Sequence, residues 1–210
     1  MKLDVSVEGI FRKNGNIRKL NELCEGIDKN IDSCNLEEEQ PVQLAALMKK
    51  FLRELPDPLM VSRLYKVWLT TQKSQDTGYR ARSLHYVCCL LPKPNRDTME
   101  VLFLFLQWVS SFSLVEAESS GSRMDSFNLA TVISPNILYS KDETPALAEN
   151  VSAVNVVHQL IVQNDFLCRV PPDVMAITKE VIKESPSPEI SSKDLLRICM
   201  DKCAAFYDDA

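Results

Sequence analysis

Glycine, histidine and long apolar runs are all scarce in this sequence. The 210 residues include only 5 glycines and 2 histidines, alongside 11 prolines, while 45% of the residues are hydrophobic. These proportions exclude collagen-like, Gly/Pro-rich and wholly disordered chains. The longest apolar runs, such as residues 101–106, fall far short of the ~20 residues that span a bilayer. The composition therefore predicts a globular protein without a membrane-spanning segment.

An excess of positive charge is also missing. The chain carries 24 Lys+Arg against 29 Asp+Glu, a formal net charge of −5. A nucleic-acid or anionic-membrane partner is usually met by a basic surface. We therefore expect neither nucleic acid nor direct membrane insertion among the functions of the chain.

The seven cysteines lack the spacing of a metal or redox site. No C-x-x-C pair occurs, and the count is odd. Cys88 and Cys89 lie inside an apolar run, where a thiol behaves as a small hydrophobe. Residues 1–4 also lack the apolar stretch of a signal peptide. We expect structural thiols, no metal, and a cytoplasmic location.

Apolar residues recur at spacings of three and four along most of the chain, and no segment alternates strictly between apolar and polar. This periodicity predicts an all-α fold. The fifth helix is apolar around most of its circumference, so we expect it to be the buried centre. The predicted helices cover residues 16–26, 41–55, 64–68, 84–91, 95–109, 124–133 and 147–161.

Proline and serine then divide the chain. We expect one helical domain over residues 1–183, a Ser/Pro linker over 184–190, and a short helix with an acidic tail over 191–210. The last segment begins with a serine that suits a helix N-cap. No internal repeat is apparent at the periods of helical solenoids.

A first polar cluster lies in residues 8–15, which combine two glycines with Ile10, Phe11 and Arg12. Glycine and asparagine permit a backbone path that other residues resist. We expect Ile10 and Phe11 to anchor this loop in the core while Arg12 projects outward. The alternative is an ordinary solvated arginine.

Lys49 and Arg53 form a second cluster, four residues apart on the predicted helix over residues 41–55. At about 100° per residue, both lie opposite the apolar stripe through Leu44, Met48 and Phe51. They are expected to share one exposed basic face. The alternative is an ordinary solvated helix surface.

Two asparagines form the third cluster, in and just after the short apolar helix over residues 124–133. Asparagine is unfavourable inside a helix because its amide competes for backbone hydrogen bonds. Asn128 and Asn136 therefore either bond a neighbouring loop or present an amide to a partner.

Three blocks of sequence resemble the Rho GTPase-activating-protein (RhoGAP) domain in order and spacing. They are residues 8–12 (EGIFR), 47–59 (LMKKFLRELPDPL) and 124–138. Between them, Leu91-Pro92 and Asn95 resemble the leucine-proline turn into the central helix of that family. The resemblance covers roughly residues 5–172.

The resemblance implies an all-α, RhoGAP-like domain that acts in trans on a GTP-bound Rho-family GTPase. Arg12 is then the catalytic arginine finger. The residues implied to bind the GTPase are Lys49, Arg53, Asn128, Pro135 and Asn136. Lys49 and Arg53 would also support the finger loop.

No cofactor is expected, because the partner GTPase carries the nucleotide and Mg²⁺. The chain has no G-x-x-x-x-G-K-[ST] motif with which to bind phosphates itself. A planar, permanently charged guanidinium suits the charge that spreads over oxygens during phosphoryl transfer. The chain is thus expected to be a GTPase activator without a complete active site of its own.

The sequence departs from the family pattern in two places. The chain begins eleven residues before Arg12, where the family usually carries one or more helices, so we expect an N-terminal helix to be missing. Residues 122–124 read Ser-Arg-Met in place of the usual Asn-Lys-Met. The second change is mild, because the middle position keeps a basic residue, Arg123.

Two other function classes fit parts of the sequence. A catalytically silent helical module that binds a small GTPase or another signalling protein would use the same face, but it would not need Arg12. A hydrolase or transferase would need a nucleophile beside His85 or His158. No motif places one there, and each histidine lies in an amphipathic helix.

Overall fold

The computed structural model describes residues 5, 7, 9–112, 124–142, 144–167, 169–184, 191, 193–194, 197 and 201. Within these residues the regular structure is helical and contains no β-strand, which confirms the predicted all-α fold. The α-helices are α1 (Ile17–Asn30), α2 (Pro41–Arg53), α3 (Tyr65–Thr70), α4 (Thr77–Cys89), α5 (Lys93–Phe112), α6 (Ser126–Ile137), α7 (Leu147–Val162), α8 (Asn164–Leu167) and α9 (Pro172–Glu184). None of these helices is long and apolar enough to cross a membrane.

The core forms where α5, α6 and α7 pack together, with α6 against α7 as the most extensive contact. Leu106, Ile133 and Leu160, one from each helix, are completely buried. Helix α2 lies against α6, and α1 lies against α2 on the outside. This order places the C-terminal half of α2 beside α6, so that residues from the second and third predicted clusters are neighbours.

Side-chain caps fix where several helices begin. The Asp76 carboxylate accepts the backbone N–H groups of the first turn of α4, and Asp125 accepts the N–H of Asn128 at 2.7 Å in α6. Helix α2 instead begins with Pro41, whose missing N–H would have no partner in a first turn. The start of α2 at this proline confirms the sequence prediction.

Helix α1 does not end near Gly26, as predicted, but continues to Asn30. A glycine inside a helix costs only about 1 kcal/mol. A Cβ at Gly26 would meet the sulfur of Cys34 at 3.0 Å. This glycine therefore allows the chain after the helix to approach closely and does not stop the helix.

Exposure corrects the predicted faces of two helices. Helix α5 is not buried around its circumference, since Val101 is 69% exposed and Leu104 and Trp108 lie on the same outer side. Phe51, assigned to the buried stripe of α2, is 61% exposed. Periodicity records which residues are apolar, whereas burial depends on how many neighbours the helix has.

Helix α6 extends through Pro135 to Ile137, although the sequence predicted an end before the proline. The pyrrolidine ring is exposed to solvent, and Ile133 and Ile137 on the opposite side are completely buried. Packing of this inner side offsets the hydrogen bond that proline cannot donate. The Asn136 amide, Nδ2, also donates to the Val132 carbonyl oxygen at 2.8 Å.

The turn after α2 is held from three sides. The Met60 N–H donates to the Ile137 carbonyl oxygen at 3.0 Å, and Asn95 Nδ2 donates to the Leu59 carbonyl at 2.9 Å. Trp68 Nε1 donates to the Met60 carbonyl at 2.9 Å. These bonds attach the turn after α2 to α3, to α5 and to the end of α6.

Helix α9 packs on the rest of the molecule through α4. The Tyr86 hydroxyl donates to the Asp173 carboxylate, and His85 Nε2 bonds the Arg169 carbonyl oxygen. Val174 is completely buried. Helix α9 thus ends at Glu184, while the predicted linker after it and most of the predicted terminal helix lie outside the described residues.

Candidate functional site

The loop over residues 9–15, called the Arg12 loop below, presents Arg12 to solvent directly after two buried residues. Ile10 and Phe11 are each 2% exposed, and Arg12 is exposed. The Arg12 N–H donates to the Ile10 carbonyl oxygen at 2.8 Å, which closes a three-residue turn around Phe11. Ile10 and Phe11 therefore anchor the loop in the core, as the sequence predicted.

This turn holds Phe11 in an unusual backbone conformation. Its φ is 63°, in the left-handed region, which costs a non-glycine residue about 1–2 kcal/mol. Gly9 precedes it with a φ of 78°. The Phe11 ring packs edge-on against Phe105 of α5, with ring centroids 6.3 Å apart. Burial of this ring offsets the backbone strain and fixes the base of the Arg12 side chain.

Lys49 of α2 bonds the loop directly, because its Nζ donates to the Phe11 carbonyl oxygen. The side chain is half-buried and does not lie on a fully exposed face. Burial lowers the pKa of Lys49, and the neighbouring Arg53 guanidinium lowers it further. The Lys49 ammonium is therefore held against the Arg12 loop at an energetic cost, as basic groups in functional sites often are.

Arg53 lies one turn after Lys49 and is exposed. Its Nε donates to Asn136 Oδ1 at 3.0 Å, and the Tyr139 hydroxyl donates to its backbone carbonyl at 3.3 Å. Asn136 is 1% exposed. The structure thus brings two predicted site residues, from α2 and α6, into one hydrogen-bonded pair.

The remaining predicted residues lie along α6. Asn128 is exposed in its first turn, and Pro135 is exposed in its last turn. Asn136 is eight residues after Asn128, about 12 Å along the helix axis at 1.5 Å per residue. The candidate face therefore extends from the Arg12 loop across the end of α2 and along α6, with Asn136 buried behind it.

One residue that holds the Arg12 loop, Gln43, was missed in the sequence, and the role of Gly15, already named in the first cluster, becomes clear beside it. Gln43 of α2 exchanges two hydrogen bonds with the backbone of Asn16, and Gly15 packs closely against the Gln43 side chain. The available signal was a glutamine among the apolar residues at the start of α2. The chemistry of the face is a set of three cations, Arg12, Lys49 and Arg53, supported by amides, which suits an anionic partner.

Comparison with known proteins identifies the same family as the sequence resemblance. The RhoGAP domain family model matches residues 1–142. Rho-type GTPase-activating protein 1 of Schizosaccharomyces pombe is 48% identical over 196 residues, 93% of this chain and 17% of the relative. Rho-GTPase-activating protein LRG1 of Saccharomyces cerevisiae is 41% identical over 201 residues, 86% of this chain and 20% of the relative. The chain thus spans about a fifth of the length of these relatives.

Solved structures show the same fold. The crystal structure of human Rho GTPase activating protein 15 superposes with a TM-score of 0.65 at 27% identity, covering 78% of this chain and 76% of that one. The BH domain from GRAF superposes with a TM-score of 0.68 at 22% identity, covering 80% and 87%. By sequence and by fold, the chain belongs to the RhoGAP domain family.

Proposed function

We propose that this chain accelerates GTP hydrolysis by a Rho-family small GTPase in its GTP-bound state, and that Arg12 is the arginine finger it supplies in trans. The observation that carries the proposal is the position of Arg12. This side chain is exposed at a turn whose neighbours, Ile10 and Phe11, are buried. The curated relatives named above are Rho GTPase-activating proteins.

The chemistry of phosphoryl transfer explains why an anchored arginine would act. Charge develops on the oxygens of the transferred γ-phosphoryl group, and a guanidinium meets it with paired donors. An arginine finger supplied in trans is worth about 10³–10⁵ in rate. At ~1.4 kcal/mol per decade this is about 4–7 kcal/mol of transition-state stabilisation. A guanidinium already fixed at its base loses less entropy on insertion than one on a free loop.

The other site residues would divide between support and binding. Lys49 holds the Phe11 carbonyl and adds positive charge beneath the loop, and Arg53 meets the GTPase surface beside it. Asn128 and Pro135 contact the GTPase along α6. Asn136 acts through Arg53, because it is buried and accepts a hydrogen bond from the Arg53 guanidinium.

The active site of the reaction would exist only in the complex. The GTPase carries the nucleotide and Mg²⁺, so this chain acts as an activator and needs no cofactor of its own. We place it in the cytoplasm, where small GTPases and the free thiols of Cys24, Cys34, Cys88 and Cys89 would both be found. A silent module that binds a GTPase through the same face is the second candidate.

Single-turnover GTP hydrolysis by a panel of Rho-family GTPases tests the proposal. Catalytic amounts of the chain should accelerate hydrolysis by at least one Rho-family member and have little effect on Ras. Binding to a GTP-loaded GTPase without acceleration would favour the silent module. No acceleration and no binding across the panel, from a sample shown by circular dichroism to be helical, would refute the proposal.

A further inference from the structure

A buried glutamine connects the Arg12 loop to α2. We propose that Gln43 is a positioning residue that fixes the far end of the loop and thereby sets the place of Arg12 during GTP hydrolysis. This inference rests on the function proposed above. It concerns a residue that lies outside the cationic face and has no exposed surface with which to meet a partner, since it is 5% exposed.

The contact between Gln43 and Asn16 uses both ends of the glutamine amide. The Asn16 N–H donates to Gln43 Oε1 at 2.8 Å, and Gln43 Nε2 donates to the Asn16 carbonyl oxygen at 3.1 Å. A pair of bonds in opposite directions fixes orientation as well as distance, as a rung of a β-ladder does. The side chain thus holds one backbone residue of the loop in a single arrangement.

Helix α1 packs on α2 without a fully buried residue and so holds the end of the loop only weakly by packing. Asn16 is its N-cap and accepts the Lys19 N–H at 3.1 Å through Oδ1. All residues of α1 are described, and none of them is fully buried. Without Gln43, Asn16 would therefore be attached to a helix that is only loosely packed on the molecule. The glutamine supplies the connection to the core that apolar contacts supply elsewhere.

Gly15 allows the loop to come close enough for this contact. A Cβ at Gly15 would lie 2.6 Å from Gln43 Oε1 and 3.0 Å from the Ala46 Cβ. Real Cβ contacts do not reach the first distance, so with any other residue either the Gln43 side chain would leave its place at Asn16 or the loop would move away from α2. Gly15 and Gln43 thus fit each other, and a side chain at Gly15 would disturb the same contact that Gln43 makes.

Two anchors on one helix then hold the loop on both sides of Arg12. Lys49 bonds the Phe11 carbonyl immediately before Arg12, and Gln43 bonds Asn16 four residues after it. Gln43 and Lys49 are six residues apart, about 9 Å along α2 at 1.5 Å per residue. With the second anchor lost, the loop is held only at its first end. A displacement of about 1 Å at a catalytic group can cost about 10²-fold in rate.

The substitution Gln43→Met tests the inference, because it keeps the side-chain length and removes both hydrogen bonds. We expect the maximal single-turnover rate at saturating activator to fall about 10- to 100-fold. Affinity for the GTPase loaded with a non-hydrolysable GTP analogue should stay within about twofold, because Lys49 and Arg53 remain in place. Affinity for the GTPase with GDP and aluminium fluoride, a mimic of the transition state, should fall together with the rate.

A matched control separates positioning from stability. Asn164 is another buried amide, 4% exposed, whose Nδ2 donates to the Phe103 carbonyl oxygen at 3.2 Å. Asn164→Leu should lower the melting temperature as Gln43→Met does, with the maximal rate unchanged. Gln43→Glu keeps an oxygen for the Asn16 N–H, but its second carboxylate oxygen faces the Asn16 carbonyl oxygen, which repels it. Its maximal rate should therefore fall at least as far as that of Gln43→Met. Gln43→Ala, which removes both bonds without adding a buried charge, serves as the test if the methionine variant does not fold.

A double-mutant cycle tests whether Gly15 and Gln43 act on the same contact. Gly15→Ala should slow turnover alone, and in the Gln43→Ala background it should add less, because the nearest atom that it would meet, Gln43 Oε1, is gone and only the looser contact with the Ala46 Cβ remains. A wild-type maximal rate in Gln43→Met, equal slowing in Asn164→Leu, or independent effects in the cycle would overturn the inference. These results require a wild type that accelerates hydrolysis, whereas a wild type that does not would refute the proposed function and this inference with it.

Discussion

Replacement of Asn136 by leucine should weaken both the fold and the binding of a GTPase. Asn136 Nδ2 donates to the Val132 carbonyl at 2.8 Å and to the Ile133 carbonyl at 3.4 Å, and its Oδ1 accepts from Arg53 at 3.0 Å. Leucine has a similar shape and none of these bonds. The change therefore removes the polar contacts of a residue that is 1% exposed without opening a large cavity.

The loss of stability follows from the buried bonds. Each hydrogen bond contributes about 1 kcal/mol net, so the two bonds to backbone carbonyls give about 2 kcal/mol of lost unfolding free energy. For a domain of this size, each 1 kcal/mol shifts the melting temperature by about 2–4 °C. We expect a melting temperature about 4–8 °C lower, measured by circular dichroism at 222 nm. The Arg53 bond adds little to this sum, because the exposed guanidinium is solvated in either state.

The loss of binding follows from the freed arginine. An arginine no longer held by Asn136 has to be ordered at the interface, which costs about 0.5–1.5 kcal/mol. This converts to about 2- to 13-fold weaker affinity for the GTPase with a non-hydrolysable nucleotide. Asn136→Leu should add nothing further to Arg53→Ala, because it acts through that side chain. Normal affinity in Asn136→Leu, or a double variant with the sum of both losses, would refute this account of Asn136.

Three further predictions follow from the loop and its surroundings. Burial lowers the pKa of Lys49 below its ordinary value near 10.5. Between these two pKa values the unfolded chain binds more protons than the folded chain. The unfolding free energy of the wild type should therefore increase relative to that of Lys49→Met as the pH rises through this window. Urea denaturation of both proteins at a series of pH values measures this, and a constant or shrinking difference would contradict it. Phe11→Ala should cost about 3–5 kcal/mol of unfolding free energy and slow GTP hydrolysis, because it removes the buried anchor beside Arg12. Urea midpoints and single-turnover rates measure the two effects. Unchanged turnover would contradict the role of Phe11 as an anchor. Deletion of residues 185–210 should leave turnover unchanged, because every proposed site residue precedes α9. A large fall in activity with the helical content retained would place part of the site in the deleted segment.

The sequence was sufficient for the fold class and for the positions of most helices. Apolar spacing predicted α2 and α7 closely. The residues of the first polar cluster also correctly predicted that Ile10 and Phe11 are buried beside an exposed Arg12. These features depend on local patterns of apolar residues and turn residues. Periodicity and residue chemistry report such patterns directly.

The features that could not be predicted depend on distant neighbours. Gln43 meets Asn16 across 27 positions, and Arg53 meets Asn136 across 83. Neither pairing leaves a local signal, because glutamine on one helix can bond any backbone group that tertiary packing brings to it. The exposure of Phe51 has the same origin, since none of the elements that the structure describes covers that side of α2. Tertiary contacts, and not propensity, decide these cases.

The central claim is that Arg12 acts in the chemical step, and one comparison tests it most directly. Arg12→Ala and Arg18→Ala are compared in single-turnover GTP hydrolysis and in equilibrium binding to the GTPase with a non-hydrolysable nucleotide. Arg18 is a matched surface arginine on α1, 89% exposed and paired with Glu22. We predict that Arg12→Ala lowers the maximal rate about 10³-fold or more with affinity largely retained, and that Arg18→Ala behaves as the wild type. Near-normal maximal turnover in Arg12→Ala would contradict the claim, and a loss in Arg18→Ala instead would make Arg18 the finger.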